Sequence, residues 1–197
     1  FGGSHRIAQV GVARTFQNIR LFREMTVLEN LLVAQHHTLN CKLLSGVIGG
    51  RAYRQAEQQG LARAYHWLEF CGLGTTANRL AGELPYGHQR LLEIARALCL
   101  NPQLLCLDEP AAGLNPRETQ SLGLLLQRLR SECGLTLLLI EHDMPLVMSL
   151  CDTVIVLDYG VVIASGSPQA VSQNPAVLAA YLGTEDLAEA TEVSHGT

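Results

Sequence analysis

Beyond Gly87 the chain alternates short, continuous apolar runs with longer stretches in which apolar residues recur every three or four positions, a pattern that predicts strands set between helices. The predicted order is helix His88–Leu100, strand Leu104–Leu107, helix Arg117–Glu132, strand Leu135–Ile140, helix Met144–Cys151 and strand Thr153–Leu157. Strands that are apolar throughout belong to a parallel sheet covered on both faces, so the expected class is α/β. Asp158-Tyr159-Gly160 then predicts a hairpin turn into Val161–Ala164.

The first half reads differently. Gly11–Phe16 predicts a short strand, and Thr26 an N-cap for a helix carrying Val27, Leu28, Leu31, Leu32 and Val33 on one face. After a glycine-rich break at Gly46–Gly50, Arg51–Phe70 predicts a long helix with Trp67 among its apolar residues, stopped by Cys71-Gly72-Leu73-Gly74. The whole is an α/β core with a helical subdomain inserted after Gln17. The expected divisions are 1–25 (end of the core), 26–100 (helical subdomain), 101–183 (α/β core) and 184–197, a polar, loose tail.

Composition narrows the class. The 197 residues carry 48% hydrophobic and only 16% charged residues, enough apolar content for a packed core and too much for a disordered chain. A net charge of −4 argues against a nucleic-acid partner, which would call for a basic face. No apolar run reaches the roughly 18 residues of a membrane span, and Phe1–Gln9 has no signal-peptide pattern. Cys41, Cys71, Cys99, Cys106, Cys133 and Cys151 form no CxxC pair and read as buried free thiols in a reducing compartment.

The chemistry concentrates where apolar strands end. Leu104–Leu107 runs into Asp108-Glu109-Pro110, at the strand edge where α/β sheets place ligands. There Asp108 can hold Mg²⁺ and Glu109 can polarise a water; the plainer reading is two acids closing a loop. Leu137–Ile140 likewise ends in Glu141-His142-Asp143, where His142 can hydrogen-bond a phosphate or a water, or be an ordinary strand-end residue. Leu84-Pro85-Tyr86-Gly87-His88-Gln89 precedes a helix whose first N–H groups make an anion site, or simply starts that helix. Arg14-Thr15-Phe16-Gln17 ends a strand in an amide oxygen within reach of a metal or water.

In this order the motifs closely resemble the nucleotide-binding subunits of ABC transporters, over Arg6 to Gly183. The resemblance implies a P-loop NTPase-like core binding ATP and Mg²⁺, with Gln17 as the Q-loop glutamine and Leu84–Gln89 as the signature motif. It makes Asp108 and Glu109 the Walker B aspartate and catalytic glutamate, Ala112–Asn115 the D-loop and His142 the switch histidine. Arg14–Phe22, followed by Met25–Asn30, and the ending Ala180-Tyr181-Leu182-Gly183 are similar to the branched-chain amino acid importer group. The Tyr-Leu-Gly ending is shared with urea importers and lipopolysaccharide exporters. Implied partners are a second ATPase subunit, identical or related, membrane permease subunits contacted by Gln17 and the helices from Thr26 to Leu44, and, indirectly, a periplasmic binding protein. The implied location is peripheral, on the cytoplasmic face of the inner membrane.

Two departures stand out. Lys42 is the single lysine and lies in no G-x-x-x-x-G-K-[ST], so the phosphate-cradling P-loop is absent from these residues. The expectation is a C-terminal fragment that by itself binds ATP weakly or not at all. Within the signature, Pro85 replaces a serine whose hydroxyl meets the γ-phosphate, and His88 replaces a glutamine, which predicts a weakened anion site. The competing readings are a non-catalytic module lending only its signature face, and a soluble ATPase of DNA repair or translation, which the acidic charge disfavours.

Overall fold

A computed structural model describes residues 10–35 and 51–180, which fall into two compact units divided between His142 and Asp143. The glycine-rich break, Cys41, Lys42, the second part of the Thr26–Leu44 surface and the polar tail lie outside the described residues.

The first unit holds a three-stranded parallel sheet in the order β1 (Val12–Arg14), β2 (Leu104–Asp108), β3 (Thr136–Ile140). Its register sets Arg14 beside Cys106 and Asp108 beside Ile140, which brings the three strand ends to one edge. β2 is central, and Leu105 and Leu107 are buried as an apolar strand requires. β3 alternates along its length. Among the described residues it is one of the two edge strands, and Thr136, Leu138 and Ile140 are exposed while Leu137 and Leu139 are half-buried.

Between β1 and β2 comes the helical material: α1 (Val27–Ala34), α2 (Arg51–Phe70) and α3 (Tyr86–Leu98), which pack on one another. Two short 3₁₀ turns, Gly74–Thr76 and Ala81–Glu83, link α2 to α3. Thr26 caps α1 as expected, in a capping box with Glu29. α2 ends at Gly72, whose φ of 73° lets Leu73 N–H reach back to Leu68 C=O at 2.7 Å, the left-handed stop that glycine makes cheap. α3 begins two residues before the predicted His88, because Pro85 is its N-cap and Tyr86 and Gly87 belong to its first turn. It stops at Leu98, ahead of Asn101 with its left-handed φ of 55° and Pro102.

α4 (Pro116–Cys133) joins β2 to β3 and buries Leu122, Leu125, Leu126 and Leu129, each worth about 1.5–3 kcal/mol relative to exposure. Among the cysteines, Cys71 and Cys99 are the expected buried thiols, pushed by burial up to about 12. Cys133 corrects that expectation: it ends α4 and is exposed, while Cys106 and Cys151 are half-buried.

The second unit contains α5 (Met144–Leu150), the antiparallel hairpin of β4 (Val154–Asp158) and β5 (Val161–Gly166), and α6 (Pro168–Ser172). The predicted turn is there. Tyr159 and Gly160, at φ 44° and 79°, form a two-residue loop of the kind whose twist suits a hairpin. The predicted strand Thr153–Leu157 is paired with β5, and not with the three-stranded sheet. Ala164, Val171 and Val177 form the core of this unit, packed on by Met148, Val154, Val156 and Ile163.

Candidate functional site

The site is built at the carboxyl edge of the sheet. β2 delivers Asp108 and then Glu109, whose backbone turns left-handed at φ 45°, a conformation costly for a side chain bearing a Cβ. The turn is held by Glu109 N–H donating to Ile140 C=O at 2.9 Å, so β3 fixes the direction in which β2 ends.

β1 brings the partners. Arg14 donates from Nη2 to Asp108 Oδ2 at 2.9 Å, and Gln17 donates from Nε2 to Glu109 Oε2 at 2.9 Å. Three of the predicted residues, Gln17, Asp108 and Glu109, thus meet in space although some ninety positions separate the glutamine from the acids. Gln17 spends its amide nitrogen on Glu109, which leaves its carbonyl oxygen directed elsewhere. Phe16 lies under two guanidinium groups, Arg20 at 4.5 Å and Arg14 at 5.6 Å from its centroid.

His142 stands just past the end of β3 with its side chain 76% exposed, and its Nδ1 is 3.9 Å from Glu141 Oε2. Glu141 is the residue that sequence reasoning passed over. Its carboxylate is 1% exposed and accepts from Ala111 N–H at 2.7 Å and from His142 N–H at 3.1 Å. It thereby ties the segment after Pro110 to the end of β3; the sequence signal available was only its place beside His142.

The Leu84–Gln89 stretch opens α3. Leu84 is buried and its C=O accepts from Gln89 Nε2 at 2.8 Å. Pro85 offers no side-chain cap, so the first-turn N–H groups of Tyr86, Gly87 and His88 have no helical or capping acceptor. They do not face open solvent alone. A Cβ placed on Gly87 would come within 2.6 Å of Glu118 Oε1, so a carboxylate already lies against this helix end. Glu118 belongs to the capping box of α4, where Asn115 Oδ1 accepts from Arg117 and Glu118 N–H, both at 3.0 Å. A cavity of about 180 Å³ separates these two helix starts, lined by Gly87, His88, Leu91, Glu118 and Leu122 among others.

Asp108 and Gln17 present carboxylate and amide oxygens, the hard donors that Mg²⁺ takes. Arg14 engages only one oxygen of Asp108. Among the described residues no three His, Cys, Asp or Glu side chains converge as a metal cage.

Comparison with known proteins shows the family. Residues 3–112 match the family described as ABC transporter, and residues 161–186 match that described as branched-chain amino acid ATP-binding cassette transporter. The chain is 54% identical over 179 residues to the high-affinity branched-chain amino acid transport ATP-binding protein BraF of Pseudomonas aeruginosa, covering 91% of this chain and 70% of that protein. It is 53% identical over 178 residues to the corresponding protein LivG of Escherichia coli, covering 90% and 70%. The crystal structure of an ATP-binding cassette of an ABC transporter in its ADP conformation is similar with a TM-score of 0.74 and 33% identity, over 91% of this chain and 71% of that one.

Proposed function

The chain belongs to the ABC transporter family of ATP-binding proteins, and from that premise we propose that it is the ATP-hydrolysing subunit of an importer for branched-chain amino acids. The observation that carries the reading is the 2.9 Å bond between Gln17 and Glu109 beside Asp108, in a chain 54% identical to a branched-chain amino acid transport ATP-binding protein.

Phosphoryl transfer to water asks for positioning and charge compensation more than for covalent chemistry. Glu109 is the base: with Oε2 held by Gln17, its Oε1 orients the attacking water and takes up its proton. His142 donates to the γ-phosphate from the end of β3. Asp108 and the Gln17 carbonyl oxygen are the groups that would hold Mg²⁺, whose chemistry there is neutralisation of the phosphate oxygens. Leu84, Pro85, Tyr86, Gly87, His88 and Gln89, with Asn115, contact the nucleotide held by a second ATPase subunit.

ABC ATP-binding subunits of importers dimerise and work with membrane permease components. No helix among the described residues is long and apolar enough to cross a membrane. The working location proposed is therefore peripheral, on the cytoplasmic face, with the segment from Gln17 into α1 against the permease. The test is ATP hydrolysis by the complete transporter, assembled with its permease and binding protein. Stimulation by leucine, isoleucine or valine is expected, and a transporter indifferent to all three overturns the substrate assignment.

A further inference from the structure

We propose that Arg90 is a positioning residue for hydrolysis, which grips the backbone of Phe16 and Gln17 and so holds the Gln17 side chain against Glu109. The proposal rests on the reading of Gln17 and Glu109 just given.

Arg90 lies in the first turns of α3 and is 1% exposed, one of the largest fully buried side chains. A guanidinium so placed is costly unless its donors are spent; Nε has no partner, and the two terminal nitrogens carry all the bonds. Nη1 donates to Phe16 C=O at 3.0 Å and to Glu93 Oε2 at 3.2 Å, while Nη2 donates to Gln17 C=O at 3.0 Å and to Tyr86 Oη at 3.0 Å. The 2%-exposed Glu93 carboxylate answers the charge from one turn along the same helix. Charge neutrality alone therefore does not account for the two carbonyls, which come from a segment more than seventy residues away.

That segment has need of a clamp. The sheet ladder lets go after Thr15, whose N–H makes the last bond to Cys106 C=O at 2.9 Å. Residues 16–20 then have no helix or strand to hold them. Arg90 takes the carbonyls of the first two, and the Gln17 side chain leaves from that fixed backbone to reach Glu109. The planar fork of arginine can serve two adjacent carbonyls, a hydroxyl and a carboxylate together, which the single ammonium of lysine cannot. Tyr86 extends the clamp. Gly113, at φ 77°, lies so close that a Cβ there would meet the Tyr86 ring at 3.0 Å, so Arg90, Tyr86 and the segment before α4 are packed in series.

The experiment is a double-mutant cycle on ATP hydrolysis by the complete transporter, comparing Arg90→Lys in the wild-type and Gln17→Ala backgrounds. A misplaced Gln17 should lower kcat about 10- to 100-fold with KM for ATP little changed. In the Gln17→Ala background the same substitution should cost less than about two-fold, since residues acting as one unit are not additive. Equal losses in the two backgrounds overturn the proposal, because Arg90 would then act on something other than Gln17. Tyr86→Phe removes only a hydroxyl and gives a second cycle should Arg90→Lys fail to fold; it is expected to show a smaller kcat loss, again absent without Gln17. Hydrogen exchange, which does not depend on hydrolysis, should quicken over residues 16–20 in Arg90→Lys and stay unchanged over α4; unchanged exchange over residues 16–20 also overturns it. Glu109→Gln is the control. Undiminished hydrolysis there defeats the functional reading, whereas loss at Glu109 with additive Arg90 cycles defeats this proposal alone.

Discussion

β2 and β3 lie side by side, both are mostly apolar, and both run into acids, yet the two strand ends use their carboxylates in opposite ways. At the end of β2, Asp108 and Glu109 are partly exposed and their partners are the side chains of Arg14 and Gln17, themselves open to solvent. At the end of β3, Glu141 is buried and spends its oxygens on backbone N–H groups. A carboxylate bonded to exposed side chains can exchange them for water or a metal ion. One that satisfies a buried backbone donor has no such freedom, because releasing the donor costs its full desolvation. The same sequence pattern thus yields one end whose acids bond exposed side chains and one whose acid is spent on the backbone, and their difference lies in what each carboxylate holds.

The sharpest way to separate the two ends is to neutralise each acid. Glu109→Gln keeps the shape of the side chain and is expected to lower hydrolysis by the complete transporter at least about 10²-fold, the range of a lost general base. Its thermal midpoint should hardly move. Glu141→Ala should do the reverse: it leaves the Ala111 N–H without its acceptor and is expected to cost about 1–3 kcal/mol in chemical denaturation. If instead Glu141→Ala abolished hydrolysis with stability intact, the contrast between the two ends would be wrong.

A smaller effect tests the exposed partnership. The Arg14 side chain is 59% exposed in its pair with Asp108, and Arg14→Met is expected to change stability by less than about 1 kcal/mol, the ordinary worth of such a pair. A larger loss would mean that the β2 end is as tightly built as the β3 end. The smallest effect is one of pH. Glu29, exposed at the start of α1, is held below the usual carboxylate range, chiefly by the Thr26 backbone N–H and then by its hydroxyl. Its contribution is present above the ordinary carboxylate pKa of 4.5 and is lost as pH falls through the lower folded value. Amide exchange in the first turn of α1 should therefore quicken on acidification, and a flat profile between about pH 5 and pH 2 would remove Glu29 from the cap.

Much of this was legible in the residues themselves. β2 and β3 are found by their unbroken apolar runs, the turn at Tyr159-Gly160 by its glycine, and the start of α1 by Thr26 ahead of a helical apolar period. The start of α3 was misplaced by two residues because a proline N-cap followed by tyrosine and glycine does not look like a first turn. α6 was missed, being only Pro168–Ser172, too short to show a period. At the site, Asp108, Glu109 and His142 could be picked out as candidates because they follow apolar runs, and Gln17 through the family resemblance. Arg90 and Glu141 could not, since the bonds that tie them to distant segments run to main-chain atoms, and every residue has those.

By itself the sequence determined the order of helices and strands, the family, and the candidate site residues, because local periodicity, capping and motif spacing are properties of neighbouring positions. Only the tertiary structure decided which acid is exposed and which is spent on the backbone, and which side chain grips the Gln17 segment. Those outcomes turn on burial and on hydrogen bonds between atoms far apart in the chain, and a carbonyl oxygen at Phe16 or an N–H at Ala111 leaves no trace in the identity of its residue.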